Sequence, residues 1–371
     1  GDELASAGKG ADSARAYLDA LDGAEPAQHL ELRRRAAEQL LRSGHFEEGL
    51  RVIAGVLSDV GLRLPLTPRN ALATLVWRRA LRRIRGLRFR ERDAADIAPA
   101  VLRRLDVCWT AGVGLSLIDL VRGESFQTHH LLMALRAGEP YRIARAVAME
   151  TVYIASSGRF HERSSSELSA RATELAERAG KPHGRALALV VSGIVSFMAG
   201  RWPDGLSKCH SAESIFREQC TGVSWELATT HYFELACLYY KGELGELSAR
   251  VPQLLREAEE RSDLYAATSL RTWPSNIVWL ARDEPVTARA EIDLAMKRWS
   301  YQGFQLQHVR ELFAGMQVDL YEGDAQRAHL IEAVLDVSVG HEPGELIDVD
   351  PEGVALVGLP ALAGLHDLVH Q

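Results

Sequence analysis

Cysteine is scarce in this chain, and the four present, Cys108, Cys209, Cys220 and Cys237, show no paired CxxC spacing. A disulfide framework and a cysteine-built zinc site are therefore not expected, and a reducing, cytoplasmic compartment is. Long apolar runs are missing too. The stretches near 186–199 and 353–365 fall short of the run of about 20 residues that a membrane span requires. The N-terminal GDELASAGKG lacks the basic and then apolar profile of a signal peptide. Reactive signatures are absent as well. Gly112-Val113-Gly114 is not followed by the third glycine of a dinucleotide loop and has no strand before it. His161-Glu162 lacks a second histidine four residues on. His129 and His130, adjacent on a helix, point about 100° apart and read as helix surface rather than as a metal site. No cofactor and no metal are expected.

What the chain does have is a repeat. Gly, any residue, then a bulky apolar residue recurs as Gly44-His45-Phe46, Gly158-Arg159-Phe160, Gly200-Arg201-Trp202 and Gly242-Glu243-Leu244, with weaker forms at Asp283 and Gly323. From 158 to 200, 242, 283 and 323 the steps are 42, 42, 41 and 40, the even spacing of a stacked array. Gly86 and Gly123 divide the gap between 44 and 158 less regularly. Around Gly200 the local signals agree. A helix apolar nearly all round (186–199) ends at the glycine, Trp202 folds back over the turn, and Pro203 and Asp204 start the next helix. Gly205, Cys209 and Ala212 then form one small-residue face that allows close approach. With 47% apolar residues and Leu, Ala, Arg and Glu dominant, the composition favours helices. The expected fold is all-α, a right-handed α-solenoid of tetratricopeptide-like hairpins over residues 1–336. It holds about seven or eight hairpins and is irregular in 61–140.

Two stretches invite functional readings. Between Arg69 and Arg92 nine arginines face one acid, Glu91, so the segment carries +8 and, with the whole chain at −7, the rest carries −15. Thr67 can cap this helix with Pro68 at its first position. Arg78, Arg79, Arg82, Arg83 and Arg85 then suit an anionic partner, an acidic protein face or nucleic acid. The competing reading uses Leu72, Leu75, Val76, Trp77, Leu81 and Ile84, an interleaved apolar stripe that would leave the arginines as the solvated side of a packed helix. No RNA- or DNA-binding motif accompanies the run. The second stretch is aromatic. The face of the helix before Gly242 holds Thr229, Tyr232, Ala236 and Tyr239, and the next holds Leu270, Trp273, Ile277 and Leu280. Tyr232, Tyr239 and Trp273 either line a concave groove for a peptide or form core between repeats. An enzyme would need a cluster such as His231, Glu234 and Arg271 within hydrogen-bonding reach.

Extended strings also carry a family resemblance. RRAAEQLLRSGHFEEGL, VGLRLPLTPRNAL, RGLRFRERD, CTGVSWEL, RSDLYAATSLRT and RWSYQGFQLQHVRELFAGMQVDLYEGD resemble the C-terminal region of large bacterial, notably myxobacterial, serine/threonine kinases. So does DVCWTAGVGLSLIDLVRGESFQTHHLLMALRAGEPYRIARAVAME. In that family a kinase domain is followed by an AAA-type ATPase module and tetratricopeptide-like repeats. The resemblance spans roughly 1–327 and implies a regulatory or sensing array whose partners are proteins or peptides, the kinase and ATPase domains among them. Catalysis would be housed upstream, because HRD, DFG, GxGxxG and GxxxxGK[ST] are all missing, and Gly8-Lys9-Gly10 is too short to be a phosphate loop. The alternative is a stand-alone adaptor that binds an anionic partner through 69–92. Residues 337–371, rich in Gly and Pro, read as an irregular or capping tail; Glu322 to Glu352 carries nine acids and one arginine.

Overall fold

In a computed structural model of the chain, residues 1–65, 67–156, 162–299 and 305–329 are described. They are helical throughout, with no strand among them. In order come α1 (Asp2–Ser6), α2 (Gly10–Asp19), α3 (Pro26–Arg42), α4 (Phe46–Asp59), α5 (Pro68–Arg85) and α6 (Pro99–Ser116). Next are α7 (Leu120–Ala137), α8 (Pro140–Ala155), α9 (Glu162–Ala179), α10 (Pro182–Met198), α11 (Trp202–Gln219) and α12 (Ser224–Lys241). The chain continues with α13 (Leu244–Glu260), α14 (Leu264–Arg271), α15 (Ile277–Leu280), α16 (Pro285–Lys297) and α17 (Leu306–Tyr321).

Short-range chemistry sets these boundaries. Proline occupies the first turn of α3, α6, α8, α10, α11 and α16, where its missing N–H costs nothing. The Thr67 hydroxyl accepts from the Asn70 amide and caps α5 as expected, and Asp119 and Asp263 do the same for α7 and α14. Gly44, Gly200, Gly242 and Gly323 all carry positive φ at the turns the repeat assigned to them, and Asp283 also has positive φ at the fifth. The turn expected at Gly158 lies outside the described residues. So does the 337–371 tail.

Consecutive helices pair: α3 with α4, α6 with α7, α8 with α9, α10 with α11, α12 with α13 and α16 with α17. The small-residue face works by contact. A methyl placed on Gly205 would lie 3.2 Å from the Gly193 carbonyl oxygen and 3.0 Å from the Cys237 sulfur. Helices α10 and α11 therefore meet nearly backbone to backbone. Cys209 and Ala212 are fully buried beside them.

Three expectations need correction. Gly123 is not a turn; it lies within α7, where an added methyl would strike the Ser116 backbone at 2.6 Å, and the break falls at Leu117–Asp119 instead. His130 is not helix surface but fully buried, its ring 5.6 Å from that of Trp109, because α5, α6 and α8 all pack against α7. The helix assumed to run through 270–280 stops at Arg271. Pro274 has no N–H to offer, and the chain resumes helix only at Ile277.

Distant parts of the chain also meet. Phe46 packs edge-on against Trp299 with centroids 5.1 Å apart, and Arg42 lies over the Trp225 ring while pairing with Glu226 at 3.3 Å. Tyr265, Met296 and Trp299 therefore join the same buried cluster as Leu41 and Phe46.

Candidate functional site

Helix α5 is amphipathic, and it is mounted with its apolar side outward. Ala71, Leu75, Arg78 and Arg82 share the side that faces the protein. Leu72, Val76, Trp77, Leu81 and Ile84 lie on the opposite side and are exposed, Val76 at 60%, Trp77 at 65% and Ile84 at 85%. The two readings drawn from the sequence thus both change. Arg78 and Arg82 turn toward the protein while Arg69 and Arg83 stay exposed, and the stripe is not core.

The cause lies in the helices beneath. α5 packs on α7, whose surface there presents Glu124, Ser125 and Phe126, with Glu150 of α8 alongside. One Arg78 nitrogen donates to both the carbonyl and the hydroxyl oxygen of Ser125 at 2.9 Å, and its guanidinium lies 5.6 Å over the Phe126 ring. Arg79 pairs with Glu124, and Arg82 pairs with Glu150 at 3.0 Å. Both carboxylates are buried. Burial pushes the Glu150 carboxyl above its usual range, with Arg82 and Arg79 pulling it back. A buried acid without its guanidinium would cost several kcal/mol, whereas an exposed Leu or Ile forgoes only about 1.5–3 kcal/mol of burial each. In this orientation of α5, Arg79 and Arg82 answer two buried acids that would otherwise lack a counter-charge. Of the other candidates, Arg85 donates to the Arg88 carbonyl oxygen and Arg83 stands exposed at the edge of the apolar face.

The aromatic candidates end up together inside one ring cluster. Trp273 is buried, its centroid 6.1 Å from Tyr239, 6.3 Å from Tyr240 and 5.6 Å from Phe313. Tyr239 accepts a hydrogen bond from Gln317, and Arg310 lies 3.8 Å over Tyr232. Trp202 stacks on Tyr240 at 5.2 Å, so this ring reaches the next hairpin rather than only its own turn. These side chains bind α12 to α17 and to the segment after α14, which leaves little of them for a partner.

His231, Glu234 and Arg271 do not form one group. Arg271 is held by Glu259 and Glu291. His231 contacts Glu213 at 2.9 Å, and Glu234 contacts His210 at 2.6 Å and Arg250 at 2.7 Å. The signal that could have located this second arrangement is a repeated H-x-x-E, at His210/Glu213 and again at His231/Glu234. Among the described residues no helix is long and apolar enough to cross a membrane. No protein-family model and no curated protein matches this chain.

Proposed function

We propose that the chain is a protein-interaction and regulatory segment, a right-handed α-solenoid of tetratricopeptide-like hairpins belonging to a bacterial signalling kinase–ATPase, with no catalysis of its own. The exposed apolar face of α5 carries the interaction reading. A helix that turns Val76, Trp77, Leu81 and Ile84 to solvent while Arg78, Arg79 and Arg82 are engaged by α7 and α8 offers a helix-docking strip with basic edges. The paired helices and the resemblance of residues 1–327 support the rest.

Charge selects the partner. Arg83 stands at the edge of the strip, and Arg69, Arg88 and Arg90 are exposed nearby, so an acidic amphipathic helix fits. A second α5 would bring arginine against arginine. Nucleic acid finds Arg78, Arg79 and Arg82 already engaged, and an anionic membrane surface would meet the same loss.

The test uses the full chain and a panel of helical peptides with one apolar face flanked by Asp and Glu, followed by tryptophan emission and anisotropy. The expected result is saturable binding lost in both Trp77→Ala and Ile84→Glu. Binding unaffected by those changes, binding to basic or scrambled peptides alone, or preference for anionic vesicles or oligonucleotides would overturn the reading. The kinase–ATPase context is checked separately by the coding sequence adjoining this one. Its absence there would sink that part.

A further inference from the structure

The facing sides of α11 and α12 present the same pair of donors twice. His210 and Glu213 stand three residues apart on α11, and His231 and Glu234 do so on α12. Each histidine addresses the carboxylate of the other helix, His231 Nε2 to Glu213 Oε1 at 2.9 Å and His210 Nε2 to Glu234 Oε1 at 2.6 Å. One donor atom each from Glu213, His231 and Glu234 lies within 4.8 Å of the other two. Glu234 and His231 are buried, while the His210 side chain is 44% exposed, so the group has a dry floor and an opening to solvent.

A cation already sits there. Arg250 of α13 reaches in, Nη1 to Glu234 Oε1 at 2.7 Å and Nη2 to Glu234 Oε2 at 2.9 Å and to Glu213 Oε2 at 3.5 Å. Its side chain is partly exposed.

We propose that His210, Glu213, His231 and Glu234 form a binding site for a divalent d-block cation of the Zn2+ type, and that Arg250 is the resident cation which the metal displaces. Two imidazoles and two carboxylates are a borderline donor set. They suit Zn2+, Co2+ or Mn2+ and hold Ca2+ or Mg2+ poorly, since those ions prefer oxygen alone. Metal–donor bonds of about 2.0–2.2 Å place donors roughly 3.3–3.6 Å apart in a tetrahedron, between the separations seen here. Glu213, His231 and Glu234 are thus asked to adjust by about an ångström, and the more exposed His210 to swing in further. A cavity of about 300 Å³, lined by His231, Arg217, Ser224 and Arg261 among others, borders the group.

The experiment is a titration of the metal-free full chain with Zn2+ and Co2+, read by calorimetry and by the visible spectrum of bound Co2+. One equivalent is expected to bind. His210→Ala weakens it about tenfold or more, and the double variant His210→Ala/His231→Ala abolishes it while circular dichroism stays helical. Arg250→Ala tightens it, because the competing cation is gone. A pure ion-pair network predicts instead that Arg250→Ala only lowers the melting temperature. Three results overturn the proposal: no stoichiometric binding in either wild type or Arg250→Ala, a double variant that binds as tightly as wild type, or weaker binding in Arg250→Ala.

Discussion

The orientation of α5 makes a prediction whose sign is opposite to what an amphipathic helix ordinarily gives. Arg82→Ala leaves Glu150, 4% exposed, without its nearest guanidinium. Breaking a fully buried pair from one side costs about 3–5 kcal/mol. Here the Arg82 side chain is 26% exposed and Arg79 still acts on Glu150. The expected loss is therefore about 2–3 kcal/mol. Ile84 is 85% exposed, so Ile84→Gln removes almost no buried surface. That variant is expected within about 0.5 kcal/mol of wild type. Urea unfolding followed by circular dichroism compares the two midpoints directly. The loss also depends on pH. The folded Glu150 carboxyl is raised, so its protonated form favours the fold. That contribution is complete below the unfolded value of about 4.5 and fades as pH rises through the folded one. Without Arg82 the carboxyl rises further, so the penalty of Arg82→Ala is expected to shrink as pH falls. If Ile84→Gln costs as much as the loss of a core side chain and Arg82→Ala next to nothing, α5 is turned the other way and the docking strip does not exist.

Further tests address the packing. In Gly205→Ala the new methyl would meet the Gly193 carbonyl oxygen at 3.2 Å. The expected loss is about 1–3 kcal/mol. Gly245, on α13, has nothing within 4 Å of an added methyl. Gly245→Ala should gain about 0.5–1 kcal/mol from helix propensity alone, and a thermal melt of the pair separates close approach from backbone entropy. Asp263 caps α14 from a buried position that raises its carboxyl to about 6. Its protonated form favours the fold, so wild type should lose stability as pH rises from about 4 through 6. Asp263→Asn, which keeps the acceptor, should flatten that slope and be neutral or stabilising at pH 8. Phe46→Ala removes the ring that meets Trp299. It should cost about 3–5 kcal/mol and red-shift tryptophan emission, whereas an unchanged spectrum would deny the contact between first hairpin and residue 299.

What could be read from the chain, and what could not, divides by range. Turns at 44, 200, 242 and 323 were legible because a left-handed glycine, a following apolar residue and an acidic or proline-led helix start all lie close together in sequence. The cap at Thr67 and the close approach of Gly205 were legible for the same reason. The facing of α5 was not, because periodicity says that a helix has two sides and is silent on which is covered. The partners of its inward arginines, Glu124 and Glu150, lie far along the chain on α7 and α8, where no local pattern on α5 points to them. The site on α11 and α12 was hidden differently. His231 and Glu234 stood out, but the third member named with them was Arg271, which the ion pairs to Glu259 and Glu291 hold elsewhere. The true third party, Arg250, stands on α13, and the donors that complete the set, His210 and Glu213, stand on the helix before. The two H-x-x-E pairs stand 21 residues apart, about half the repeat, so one falls on the second helix of a hairpin and the other on the first helix of the next. Sites in such a fold are therefore to be sought by comparing equivalent positions of neighbouring helices, as the doubled H-x-x-E shows, rather than along any single one.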